Sequence, residues 1–189
     1  WITRAAGVLL PVSSLPSKYG VGTFGQAARE WVDFLARAKQ RYWQVLPLGP
    51  TSFGDSPYQS YSAFAGNPLF IDLQELCNAG LLKKGRCKRT PWGEDPSYVD
   101  YDTVRAGRDQ LLRRAFSHFQ HFRVLERFRK RNKFWVEDYA LYMALKEKMD
   151  GRPWPEWEVG LRLRDPGTLE VWKKRCKEEV DYHVFSQYL

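Results

Sequence analysis

Residues 49–68 read Gly-Pro-Thr-Ser-Phe-Gly-Asp-Ser-Pro-Tyr-Gln-Ser-Tyr-Ser-Ala-Phe-Ala-Gly-Asn-Pro, directly behind the apolar, aromatic run Tyr42–Leu48. That run reads as a buried strand. The residues after it make a structured loop rather than a linker. Gly and Pro set unusual backbone angles, and the Tyr and Phe rings give the loop something to pack. A loop of this kind at the carboxyl end of a strand is where α/β folds place binding and chemistry.

The flanking segments fit the same class. Gly7–Val12 is a short apolar run followed by the loop Ser13–Ser17. From Gln26 to Lys39, Ala28, Trp31, Leu35 and Ala38 recur at helical spacing, so an amphipathic helix is predicted, with Thr23 as its N-cap. Strand, helix and strand with short connections form a βαβ unit with parallel strands. Leu69–Leu73 is a third strand candidate. Asp72 within it is either a strand-end carboxylate bonded to backbone N–H groups or a functional group. A short helix is expected over Gln74–Leu82 and a polar loop over Lys83–Tyr101. Helices follow from Thr103, from Lys133 to Met149, and from Thr168, with a Pro- and Trp-rich loop over Gly151–Gly167. The expected fold class is α/β: the opening part of a (β/α)₈ barrel with a large helical insertion. The expected division is 1–82 for the first βα units, including the loop 49–68, and 83–189 for a mainly helical insertion. A complete barrel takes roughly 250 residues. The chain has 189, starts at Trp1 and ends inside an apolar-periodic stretch, so a piece of a longer protein is expected.

Charge and special residues narrow the function. Thirty Lys and Arg against 22 Asp and Glu give +8, concentrated in Arg113-Arg114 and Arg123–Lys133. Leu125 and Phe128 interrupt the second run at helical spacing, so it reads as the solvated face of a helix. No nucleic-acid-binding motif accompanies it. Cys77, Cys87 and Cys176 are odd in number and form no Cys-x-x-Cys pair, so neither a disulfide framework nor a zinc site is expected. His118 and His121 read as a surface pair on one helix. No phosphate loop and no Ser, His and Asp set stands out, and no run of 18 apolar residues suggests a membrane span. The loop 49–68 offers hydroxyls, amides and rings without clustered charge, which suits a neutral polyhydroxylated ligand. Equally, its Tyr rings can serve only to pack the loop on itself.

At this loop the sequence resembles the 4-α-glucanotransferases (amylomaltases, or disproportionating enzymes) of glycoside hydrolase family 77. The resemblance is carried by Arg4–Pro16, Tyr19–Gly25, Tyr42–Thr51 and Gly54–Pro68. Asp138–Lys146, Trp154-Pro155 and Leu163-Arg164-Asp165 extend it over essentially the whole chain. It implies a (β/α)₈ barrel acting on α-1,4-glucans and maltooligosaccharides. Glucan segments are transferred by retaining double displacement, with an Asp nucleophile and a Glu acid/base whose carboxyls lie roughly 5 Å apart. No metal or organic cofactor, no nucleic acid and no membrane is implied. The location implied is cytoplasmic, or plastidic for a plant source.

Carried over by position, Tyr58 is the tyrosine near the reacting sugar and Ser56 a neighbouring substrate contact. Asp55, Gln59 and Asn67 support the loop. Phe53 stands where family members carry a Tyr linked to a secondary glucan site; its ring can still stack, but the hydroxyl is gone. The resemblance places the nucleophile and acid/base on strands after Leu189. No catalytic residue is therefore assigned within the chain, and Asp33, Asp72, Asp100 and Asp102 are not candidates. The chain alone is expected to be inactive. Two other readings stand beside this one: a non-catalytic glucan-binding module derived from the family, and a nucleic-acid binder resting on charge alone.

Overall fold

The computed structural model describes residues 4–95 and 97–189, with Phe53 described in its backbone only. The chain divides into two compact units, Trp1–Phe119 and Gln120–Leu189. Among the described residues the structure is mainly helical, with one two-stranded sheet.

The first unit begins with the expected βαβ. Strand β1 (Gly7–Leu9) pairs in parallel with β2 (Tyr42–Gln44), Val8 opposite Trp43. Pairing runs past the strand ends, since Arg41 N–H donates to Ala6 C=O at 2.9 Å and Leu10 N–H to Gln44 C=O at 3.0 Å. The Trp43 indole N–H adds a bond to Leu10 C=O at 2.8 Å. Between the strands lies α1 (Gln26–Arg37). Its Ala28 joins Val12 and Leu15 in a core completed by Trp31, Trp43, Val45 and Phe70. The strand read as buried is only half covered: Tyr42 is 65% exposed.

Four expectations are corrected in this unit. Thr23 does not cap α1. The N-cap is Gly25, and the Thr23 hydroxyl instead donates to Asp72 Oδ2 at 2.6 Å. The third strand is absent among the described residues. Pro68–Phe70 is a 3₁₀ turn, and α2 (Leu73–Asn78) begins inside the presumed strand. Two caps decide this. Asn67 Oδ1 accepts the Leu69 N–H and Asp72 Oδ1 accepts the Glu75 N–H, both at 3.0 Å, while Pro68 presets a helical φ. The supposed loop 83–101 contains α3 (Lys84–Arg89) before α4 (Tyr101–His118). His118 closes α4 and His121 precedes the next helix, so the two do not share one.

The second unit contains α5 (Phe122–Arg131), α6 (Val136–Lys148), the short α7 (Val159–Arg162), α8 (Pro166–Arg175) and α9 (Lys177–Tyr188). The basic run lies on α5, whose Leu125 is buried as its spacing predicts. The single last helix expected from Thr168 is two helices that meet at Cys176. A core of Val136, Ala140, Ala144, Leu161, Cys176 and Val184 joins α6 to α7–α9. The Arg129 guanidinium links Glu137, at 2.7 Å, to Asp181. Among the described residues no helix is long and apolar enough to cross a membrane.

Candidate active-site loop

The loop 49–68 leaves β2 and returns to it. Asn67 N–H donates to Leu48 C=O at 2.8 Å, closing the loop at its base. A short antiparallel bridge, Thr51 to Ser60, pins it higher up, with Ser52 N–H on Gln59 C=O at 3.0 Å. Gly49 belongs at the first crossing because a Cβ there would press on the Ser60 side chain. The Ser62 hydroxyl accepts the N–H groups of Phe64 and Ala65, each at 3.1 Å, and turns the chain homeward. Loop backbone that sheet pairing leaves unmatched is thus satisfied by the loop's own Ser and Asn side chains.

The tip is a 3₁₀ turn, Phe53–Asp55, with Gly54 and Asp55 at φ +70° and +54°. Asp55 is held in this left-handed conformation from outside the loop. Its carboxylate pairs with Arg105, fifty residues away on α4, and also accepts the Thr51 hydroxyl at 3.4 Å. Ser56 is half-buried, and its hydroxyl accepts the Tyr58 N–H at 3.4 Å. Tyr58 itself is 73% exposed. Gln59 is exposed, and its backbone supplies the contacts above. The Phe53 side chain lies outside the described residues.

Beneath the loop is a cavity of about 100 Å³. Pro11–Ser13, following β1, and Leu46–Leu48, following β2, form its floor. Thr51, Asp55, Pro57 and Asn67 close it from the loop. Asp55 and Asn67 therefore line the cavity, whereas Tyr58, Ser56 and Gln59 stand outside it. A larger groove of about 670 Å³ runs between the Ser13–Gly22 segment on one side and Trp92–Asp95, Ser97–Val99 and Tyr101 on the other. Tyr101 borders both spaces.

Sequence reasoning missed the groups that hold this region from α4. Arg108 is 1% exposed, and its buried Nε has no hydrogen-bond partner among the described residues. It donates to Ile71 C=O at 2.7 Å and lies 5.9 Å from the centre of the Trp92 ring. Burial lowers its guanidinium to about 10, against a smaller opposing pull from Asp72. Asp72, left open between two roles, is the N-cap of α2 and the acceptor for Thr23. No short motif announces Arg105 or Arg108; they contact Asp55 and Ile71 only through the folding of α4 over the first unit.

Among the described residues no three His, Cys, Asp or Glu side chains cluster as a metal site would require. The site offers hydroxyls, a phenol, an amide and a positioned carboxylate. These can hydrogen-bond a polyhydroxylated ligand, and the exposed ring of Tyr58 can lie against an apolar face.

Comparison with known proteins matches the chain to a known family. The family described as 4-alpha-glucanotransferase, Glyco_hydro_77, matches residues 10–189. The chain is 47% identical over 191 residues to the 4-alpha-glucanotransferase of Streptococcus pneumoniae serotype 4, covering 98% of this chain and 37% of the relative. It is 45% identical over 198 residues to that of Thermus thermophilus, covering 100% and 38%. The solved structure of the amylomaltase from Streptococcus agalactiae in complex with acarbose superposes with a TM-score of 0.94 at 39% identity, covering 98% of this chain and 38% of that one. The chain belongs to glycoside hydrolase family 77, the 4-α-glucanotransferases. It spans a little over one third of the length of the relatives it matches.

Proposed function

We propose that this chain is the amino-terminal portion of a 4-α-glucanotransferase. In this reading β1 and β2 open a (β/α)₈ barrel, and the helical part from residue 83 onward is an insertion carried on it. The complete enzyme moves α-1,4-glucan segments between maltooligosaccharides by retaining double displacement. The observation that carries the reading is the loop 49–68. It is closed on the carboxyl end of β2, above a cavity floored by both strand ends, with Tyr58 exposed and Asp55 clamped from α4.

Tyr58 and Ser56 meet the glucan near the reacting sugar, and the ring of Phe53 stacks against a glucan. Asp55, Gln59 and Asn67 keep the loop in shape. The two catalytic carboxylates come from parts of the protein outside residues 1–189. The loop contributes orientation: a ring and hydroxyls that fix one sugar leave the reacting bond aligned for attack. A sugar hydroxyl then takes the place of water as acceptor.

The test is maltotriose disproportionation by the full-length protein carrying this chain. Tyr58→Ala is expected to lower kcat/KM about 100-fold, or roughly 2.7 kcal/mol of transition-state stabilisation. Its thermal unfolding should match wild type, since the ring is exposed. An unchanged kcat/KM would remove Tyr58 from the site. Residues 1–189 alone should give no transfer, and turnover by that purified piece would place the carboxylates within it.

A further inference from the structure

Two thiols stand together at a place the loop site does not use. Cys77 lies near the end of α2 and Cys87 inside α3, with their Sγ atoms 3.8 Å apart. The connection between the helices is tight. Gly80, at φ +76°, reverses the chain, and the N–H groups of Leu81 and Leu82 both return to Leu76 C=O. The backbone turn thus brings together the two helices that carry these sulfurs. Access differs sharply between them: Cys77 is half-buried and Cys87 is 0% exposed. Cys87 is also anchored, because its carbonyl accepts the Trp92 indole N–H at 2.9 Å.

We propose that Cys77 and Cys87 are a reversible redox pair, which hydroperoxides convert to a disulfide through initial attack at Cys77. The Cys77 thiol gives up its proton and its sulfur attacks a peroxide oxygen, the O–O bond breaks, and the leaving oxygen takes up that proton and departs as water or an alcohol. Cys77 becomes a sulfenic acid. The Cys87 sulfur then attacks Cys77 Sγ. The S–O bond breaks, and the hydroxyl leaves as water with the Cys87 proton. The two thiols lose two electrons and the peroxide gains them. From 3.8 Å the sulfurs need only approach to the covalent distance of about 2 Å. Burial, with the neighbouring Cys77 as a smaller cause, pushes the Cys87 thiol up to about 11, which disfavours Cys87 as the first nucleophile. Cys176, buried in the second unit, has no second thiol beside it among the described residues and serves as the internal reference.

The experiment treats the full-length protein with hydrogen peroxide, blocks free thiols, and maps tryptic peptides without reduction. Trypsin cuts at Lys83, Lys84 and Arg86, so the Cys77 and Cys87 peptides separate unless a disulfide joins them. A joined pair that dithiothreitol releases is expected, with Cys176 still blocked as a thiol. In Cys87→Ser, dimedone should label Cys77. In Cys77→Ser, Cys87 should stay unlabelled at the same dose. The wild-type map stands whether or not the variants fold. Separate peptides in the oxidised wild type, a link from either residue to Cys176, or dimedone on Cys87 in Cys77→Ser would each overturn the proposal.

Discussion

Gly22 and Gly54 occupy their positions for different reasons, and substitution separates them. Gly54 sits at φ +70° in open space, so only its backbone conformation resists a side chain. Gly54→Ala is expected to cost about 1 kcal/mol, read from urea unfolding. At Gly22, a Cβ would strike the Val12 carbonyl and the backbone of Leu15, neither of which can swing away. Gly22→Ala should cost about 3 kcal/mol, because backbone around Val12 and Leu15 must move. Arg108 poses a third case. Trimming it to Ala leaves a cavity and the Ile71 carbonyl without its donor, a loss of about 3 kcal/mol or more. Arg108→Met removes a desolvated charge while keeping the bulk, and should lose clearly less by the same measurement. Such residues were not legible beforehand. An arginine in a helical run reads as solvated surface, and only the packing of α4 buries this one.

Helices α2, α4 and α8 start by one local rule, an Asp whose side chain accepts the N–H three residues on. Asp100 accepts the Thr103 N–H at 3.1 Å and its hydroxyl at 2.7 Å, and Asp165 does the same for Thr168 at 2.7 and 2.8 Å. The Thr103 hydroxyl first, and its N–H second, hold the Asp100 carboxyl below its ordinary value. The folded pKa is therefore depressed relative to the unfolded one. The stability it confers is present above the ordinary carboxylate value of about 3.9 and lost as pH falls through the folded value. Asp100→Asn should keep the cap and flatten that acid limb, whereas Asp100→Ala should lose the cap and be less stable than wild type already at neutral pH. Circular dichroism of acid titrations distinguishes the two. The same caps explain what the apolar pattern concealed. Leu69–Leu73 is five residues long, and a run so short fits strand or helix alike. Asn67-Pro68 and Asp72 settled it, and both signals were present in the sequence. By contrast, β1, α1 and β2 were legible because apolar spacing, loop composition and element length agreed with one another. The loop was legible from its composition, but Arg105, which fixes its tip, was not: only tertiary structure joins residues so far apart.

For the chain as a whole, the two-stranded sheet leaves Tyr42 and Leu9 in solvent, although parallel strands are ordinarily covered on both faces. Residues 1–189 in isolation should therefore self-associate, seen as a concentration-dependent sedimentation coefficient. Leu9→Lys with Tyr42→Lys should suppress that association and shift the unfolding free energy of the isolated chain by no more than about 0.5 kcal/mol. In the full-length protein, where the proposed barrel covers these strands, the same pair should cost about 2 kcal/mol or more. Equal, small effects in both settings would argue against a barrel built on this sheet.

The Asn67–Leu48 bond and the Thr51–Ser60 bridge make the loop a clasp whose two ends are fastened before its tip is shaped. Its closure does not depend on which side chains occupy the tip. The exposed Tyr58 and its neighbour Ser56 can therefore be exchanged, in a laboratory or over evolutionary time, while the strand ends and the cavity floor stay where they are. In the proposed enzyme, what the loop meets and how the loop is fastened are then set by different residues of one short stretch of chain.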